Sequence, residues 1–215
     1  MPNWVTNQIK APASVITAMV SDGERIDFSK VVPFPGTFEW DGVNMAAEEM
    51  AEIVLGAPLN DHPLVAALQA ANRRNASLAK LSAEAFEQFI QMLRNHRLCG
   101  FLHSMDFARS AWGTKWNACE SSFDLEAGTA EFETAWSCPT PFLVALSKQH
   151  PEARIEVTYA DEDIGSNCGS FVLVNGQKLD ADEAPSWSSL DEAGQARWRA
   201  FALKVKGRED DGNDE

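Results

Sequence analysis

The segment with the most chemical potential is Trp112-Gly-Thr-Lys-Trp-Asn117. Two tryptophans four residues apart, with Lys115 between them, can form a stacking or cation–π platform. Gly113 permits an unusual backbone angle or a close approach. Folding can add Trp4, Asn7 and Trp136 to the same surface. The expected binding residues are therefore Trp4, Asn7, Trp112, Gly113, Thr114, Lys115, Trp116, Asn117 and Trp136. The plainer reading is that the tryptophans cover a sheet face, because large aromatics are common in cores.

Other constellations are weaker. His96-x-x-Cys99-x-x-x-His103 would share one face of a helix, as metal ligands need. Gly100 interrupts that helix, so capping and packing are expected and no metal. Arg73, Arg74, Lys80, Arg94, Arg97 and Arg109 could touch phosphates or an acidic protein patch, or be solvated helix faces. Glu126, Glu131, Glu133, Glu156, Asp161, Glu162 and Asp163 lie on or next to strands. They could imitate a phosphate backbone, bind a divalent cation, or form a solvated sheet face. Asp161-Glu-Asp-Ile-Gly lacks the full calcium-loop spacing. Cys99, Cys119, Cys138 and Cys168 form no C-x-x-C pair and are expected as free thiols. P-loop, G-x-G-x-x-G and G-x-S-x-G motifs are missing, so no catalytic residue and no cofactor are assigned.

Charge is uneven along the 215 residues, whose net charge is −14. Residues 1–119 carry 12 acids against 10 bases; residues 120–215 carry 20 against 8. Such a surface repels nucleic-acid backbones and anionic membranes; a basic protein partner, a cation or simple solubility would each fit it. From Arg73 to Lys115 the balance reverses, with seven bases and three acids. No apolar run approaches the roughly 20 residues of a bilayer span. The N-terminus shows no basic region followed by an apolar one, so a cytoplasmic protein is expected.

The positioning elements follow from periodicity. Trp4–Lys10 predicts a strand, and Val15, Ile16, Met19 and Val20 a short helix ending at Gly23. Phe28–Gly36, with its prolines and glycine, predicts an extended connection. Residues 44 to about 99 read as helical: Ala46–Leu55, a helix capped by Asp61 with Leu64, Val65 and Leu68 on its apolar side, and one capped by Ser82. Ser121–Glu126 and Ala130–Trp136 alternate with period two and predict a hairpin. Thr140 is expected to cap a helix; Arg154–Tyr159 and Phe171–Val174 predict strands, the second followed by an Asn175-Gly176 turn. A final helix runs from about Ser188 to Lys206, with a Ser189-x-x-Glu192 capping box.

The expected fold is α+β: a ferredoxin-like βαββαβ antiparallel sheet with a helical insertion and an extra C-terminal strand and helix. The expected domains are a discontinuous core over 1–36 and 101–206, a helical insertion over 37–100, and a disordered acidic tail over 207–215.

Five segments in order carry a resemblance: Pro2-Asn-Trp-Val-Thr-Asn7, Pro33-Phe-Pro, Trp112-Gly-Thr-Lys-Trp-Asn-Ala, Phe132-Glu-Thr-Ala-Trp-Ser-Cys-Pro and Tyr159-Ala-Asp-Glu-Asp-Ile-Gly. Together they resemble the YubB-type ferredoxin-like domain family of phage and plasmid proteins. The resemblance implies a ferredoxin-like fold and a mobile-element origin, and it carries over no catalytic residue. Val5 stands where that family's pattern has cysteine, and Cys138 where it has proline. The expected function is a non-enzymatic accessory module that binds a macromolecule, foremost a protein met through the acidic surface. The alternatives are a nucleic-acid-binding module, or an enzyme with its pocket around Trp112–Asn117.

Overall fold

The computed structural model describes residues 2–209; most of the expected acidic tail, residues 210–215, lies outside them. In chain order the elements are β1 (Trp4–Lys10), α1 (Ala13–Met19), β2 (Val20–Ser21), β3 (Arg25–Ile26), α2 (Met45–Leu55), α3 (Pro63–Asn75), α4 (Ala83–Cys99) and α5 (Ser104–Ala111). There follow β4 (Cys119–Asp124), β5 (Thr129–Ala135), α6 (Thr140–Gln149), β6 (Ile155–Asp161), β7 (Cys168–Val174), β8 (Gln177–Glu183) and α7 (Glu192–Lys206). Contacts divide the chain into two compact units. One comprises the residues up to Pro33 and from Ala108 onward; the other is Phe34–Phe107. No helix among the described residues is long and apolar enough to cross a membrane.

The first unit is built on a six-stranded antiparallel sheet of order β4-β5-β1-β6-β7-β8. Within it β1, α1, β4, β5, α6 and β6 run βαββαβ, with β1 between β5 and β6. That is a ferredoxin-like α+β fold. Cross-strand pairs Asn7↔Phe132 and Asn7↔Tyr159, Ile9↔Ala130 and Ile9↔Val157 place the apolar positions on one face. On this face Phe28 stacks on Phe142 of α6 at 4.1 Å and meets Phe132 edge-on at 5.6 Å. α1 buries Val15, Ile16 and Met19. The opposite face takes Ala160 and Cys168, and α7 closes over them with Trp198, Ala202 and Val205. Burial of such side chains contributes about 25 cal/mol per Å² of apolar area and drives the layering.

Several expectations are corrected locally. α1 stops at Met19 and passes into a two-residue hairpin, so Gly23, at φ 74°, sits in the β2–β3 turn and caps no helix. Phe28–Lys30 is a 3₁₀ turn capped by Asp27, with Phe28 fully buried, where an extended connection was expected. Asp61 does not cap α3: His62 holds that position without a side-chain bond. Thr140 lies inside α6, after Pro139. Asp191, and not Ser189, caps α7 by accepting from the Gly194 N–H at 2.8 Å. One extra strand was expected after β6; there are two. β8 has all seven residues exposed, so no apolar alternation marks it.

The second unit packs Ala47, Met50 and Ala51 of α2 against Ala85, Phe89 and Met92 of α4. Asn95, buried in α4, binds both the Thr37 and Leu102 carbonyls through its amide, at 2.8 and 3.0 Å. Helix α3 buries none of its residues, and Leu64, Val65 and Leu68 face solvent.

Candidate functional site: a tryptophan platform

The β1–β5 register decides which tryptophans meet. Trp4 pairs with Ala135, and the Trp136 N–H donates to the Asn3 carbonyl at 2.8 Å. Adjacent strand ends therefore carry Trp4 and Trp136. The loop after α5 brings Trp116 to both: its ring centroid lies 6.2 Å from Trp4 and 5.1 Å from Trp136. Lys115 Nζ lies 5.3 Å from the Trp116 ring centroid.

That loop is fastened to the end of β5. Thr114 Oγ1 donates to the Ala135 carbonyl at 3.0 Å, and Ser137 Oγ to the Gly113 carbonyl at 2.6 Å. Gly113 has φ 81°, and a Cβ there would lie 2.4 Å from Pro141 Cδ. Only glycine fits that turn and that approach. A groove of about 330 Å³ opens alongside, lined by Arg109, Gly113, Thr114, Lys115, Ala135, Trp136 and Ser137.

Trp136 is the unusual member. It is 46% exposed, and its φ is 64°, in the left-handed region that bulky side chains avoid. Its N–H is tied to Asn3, and its carbonyl accepts from Asn167 Nδ2 at 3.1 Å. Asn167 is itself held by the buried Asp161 at 2.7 Å. A strained backbone that its surroundings enforce, carrying an exposed indole, is the pattern found at binding sites.

Three of the expected site residues lie apart from this surface. Trp112 is core: its ring meets Phe28 edge-on at 5.6 Å, and its N–H donates to the Val32 carbonyl at 2.8 Å. Asn7 is fully buried. Its amide donates to the Val5 carbonyl at 2.9 Å and Thr134 Oγ1 at 2.8 Å, while its Oδ1 lacks a protein partner. Asn117 braces the chain, accepting from the Phe28 N–H at 2.8 Å and donating to Asp27 Oδ1 at 2.7 Å. Burial pushes the Asp27 carboxyl up, but the bonds from Asn117 and Ser29 outweigh it and leave it below its ordinary value. Ser137 and Asn167 also organise the platform; Ser137 lies within the Phe132–Pro139 segment but is not singled out there, and Asn167 carries no motif in the sequence.

The other constellations disperse. α4 ends at Cys99 with Gly100 as its left-handed cap; His103 lies beyond it, buried and 3.1 Å from Glu48. Among the described residues no three His, Cys, Asp or Glu side chains gather as metal ligands would. Asp161 is buried, whereas Glu131, Glu133 and Glu156 lie on the face that α7 partly covers. Glu133 accepts from Thr6 Oγ1 at 2.9 Å and Lys206 Nζ at 3.3 Å. Arg73 pairs with Glu52 at 3.0 Å. Among the described residues Lys115 has no carboxylate within hydrogen-bonding distance.

Fold and site together define a ferredoxin-like α+β protein with a tryptophan cluster of which Trp136 is exposed. The family model of the ferredoxin-like domain in Api92-like proteins matches residues 111–197. Among solved structures the chain is similar to the protein Api92 from Yersinia pseudotuberculosis, at 11% identity and a TM-score of 0.40, over 86% of this chain and 99% of that one. No curated protein matches the sequence.

Proposed function

We propose that this chain is a non-enzymatic protein-binding module, an accessory protein of a mobile element acting on a host protein in the cytoplasm. The observation that carries the reading is the Trp4–Trp116–Trp136 cluster, with Trp136 half-exposed on a strained backbone. Tryptophan is the residue most enriched where binding energy concentrates in protein interfaces. The platform's backbone is held by hydrogen bonds from Thr114, Ser137 and Asn167, which lowers the ordering entropy that opposes docking. The net charge of −14 favours a partner of positive net charge through long-range attraction. Arg109 and Lys115 flank the groove and can donate to the carbonyls of a bound segment.

A nucleic-acid reading is less well supported. An RNA-recognition sheet needs aromatic rings on its central strands. The corresponding positions of β1 and β5 carry Thr6, Gln8, Lys10, Glu131 and Glu133.

The test is a displayed peptide library selected on the wild type, followed by calorimetry of the enriched peptides. The W116A/W136A variant should lose about tenfold or more in affinity while its circular dichroism is unchanged. Equal binding by the variant would overturn the reading. So would a salt-dependent shift of single-stranded DNA together with an empty peptide selection.

A further inference from the structure

The groove beside Trp136 carries positive charge on an acidic chain. Its ionisable lining residues are Arg109 and Lys115, and no carboxylate stands among the walls. The chain as a whole carries −14. Elsewhere carboxylates neutralise cations: Glu52 pairs with Arg73, Glu133 with Lys206 and Glu183 with Lys178. Arg109 and Lys115 have no ion-pair partner among the described residues. Arg109 stands exposed in the last turn of α5. Lys115 is half-buried, with its ammonium over the Trp116 ring. The exposed Trp136 lines the same groove.

We propose that this groove takes an acidic side chain, Asp or Glu, that neighbours an aromatic residue of the bound protein; the inference rests on the reading of the tryptophan platform as a protein-binding surface. A planar carboxylate suits the guanidinium fork of Arg109, which can donate two parallel hydrogen bonds to it, while Lys115 adds a point charge. The neighbouring aromatic ring packs on Trp136. The backbone favours a side chain over a chain end. Capture of a C-terminal carboxylate uses free backbone N–H groups. Here three of them are spent: Gly113 donates to the Ala108 carbonyl at 3.2 Å, Trp136 to Asn3 at 2.8 Å and Ser137 to Ala135 at 2.9 Å. The hydroxyls of Thr114 and Ser137 are likewise turned to backbone carbonyls. The two cationic side chains therefore carry the recognition of charge. The acidic body adds selectivity, because it repels a partner's carboxylate elsewhere. A partner of positive net charge is thus oriented with its acidic residue toward this groove.

An array of short amidated peptides, probed with the full chain, tests this. Each peptide carries one phenylalanine on a Gly-Ser background, with Glu, Gln or Lys beside it. The wild type should bind the Glu series about tenfold more tightly than the Gln series. That preference should fade as salt rises from about 50 to about 500 mM. R109Q/K115Q should bind the two series alike with unchanged circular dichroism, and R109E/K115E should prefer the Lys series. Equal binding of Glu and Gln peptides by the wild type overturns the inference, as does a Glu preference that survives R109Q/K115Q. Gln peptides with a free C-terminal carboxylate that match the amidated Glu peptides would overturn it in favour of a chain end. A wild type that binds no series overturns it as well; the library selection still decides the platform reading. Failure of that reading looks different: W116A/W136A would then bind every series as the wild type does.

Discussion

Tyr159 donates its hydroxyl to Glu183 Oε1 at 2.8 Å across a strand that lies between them. Gly169 of β7 pairs with Tyr159 on one side and Glu183 on the other, and its missing side chain leaves the lane open. A Cβ at Gly169 would lie 2.7 Å from both Glu183 Cα and the Asp182 carbonyl. Lys178 completes the arrangement, 2.5 Å from Glu183 Oε2 and 4.4 Å from the Phe171 ring centroid. An otherwise exposed edge strand is thereby fastened to the core.

Gly169→Ala should therefore destabilise more than removal of the hydrogen bond it permits. The added methyl meets backbone, which cannot yield cheaply, and a loss of about 2 kcal/mol or more is expected. Tyr159→Phe should lose only about 1 kcal/mol, because Glu183 keeps Lys178. Urea unfolding of the two variants measures the ranking, and the reverse order would refute the account.

Alkaline pH should weaken the fold. Burial pushes the Cys138 thiol from 9.0 up to about 12 and Cys168 up to about 11. Burial, then the Glu183 carboxylate, drives the Tyr159 phenol above its usual range. Each group holds its proton more tightly folded than unfolded. Stability is therefore intact below about pH 9 and falls as pH rises, by at most about 1.4 kcal/mol per unit for each thiol, the Cys168 part ending near pH 11 and the Cys138 part near pH 12. Cys138→Ala should flatten that slope in urea titrations at roughly pH 8 to 11. An unchanged slope would contradict the assignment.

Thiol labelling should separate the cysteines into two classes. Cys99 and Cys119 are half-buried and should react with an aromatic disulfide reagent in the native protein. Cys138 and Cys168 are buried and should react only on unfolding. Peptide mapping of the labelled sites reads the outcome; early labelling of Cys138 would place it outside the core.

The tryptophans should divide by stability as well. Trp112→Ala should lose about 3–5 kcal/mol, as a large core side chain does. Trp136→Asn should stay within about 1 kcal/mol of the wild type, since relief of the left-handed backbone offsets the lost ring contact. Chemical denaturation distinguishes them, and a large loss at Trp136 would make it a core residue.

Much of the architecture was legible because burial imprints period two or three to four on the chain. β1 follows from Val5 and Ile9 among polar neighbours, and the β4–β5 hairpin from Phe132 and its alternating glutamates. β8 left no imprint, since none of its side chains is buried; its place depends on Tyr159 and Gly169 in other strands. The leucines of α3 announced a helix but not the direction they face. The platform was half legible. Tryptophan as a residue type can be seen in the sequence, but the choice of Trp4, Trp116 and Trp136 over Trp112 depends on strand register and on the Gly113 turn. Asn167 could not be found, because its role exists only once Asp161 and Trp136 are brought together.

β1 finds its partners only far along the chain. Both ladders of β1 are formed with β5 and β6, more than a hundred residues downstream. Val5 and Ile9 stay solvated while the locally bonded helices between them and β4 are synthesised. Closing so long a loop is slow, and it leaves an unpaired apolar strand exposed to other chains in the meantime. Capture of β1 between β5 and β6 thus closes the two longest-range ladders of the sheet.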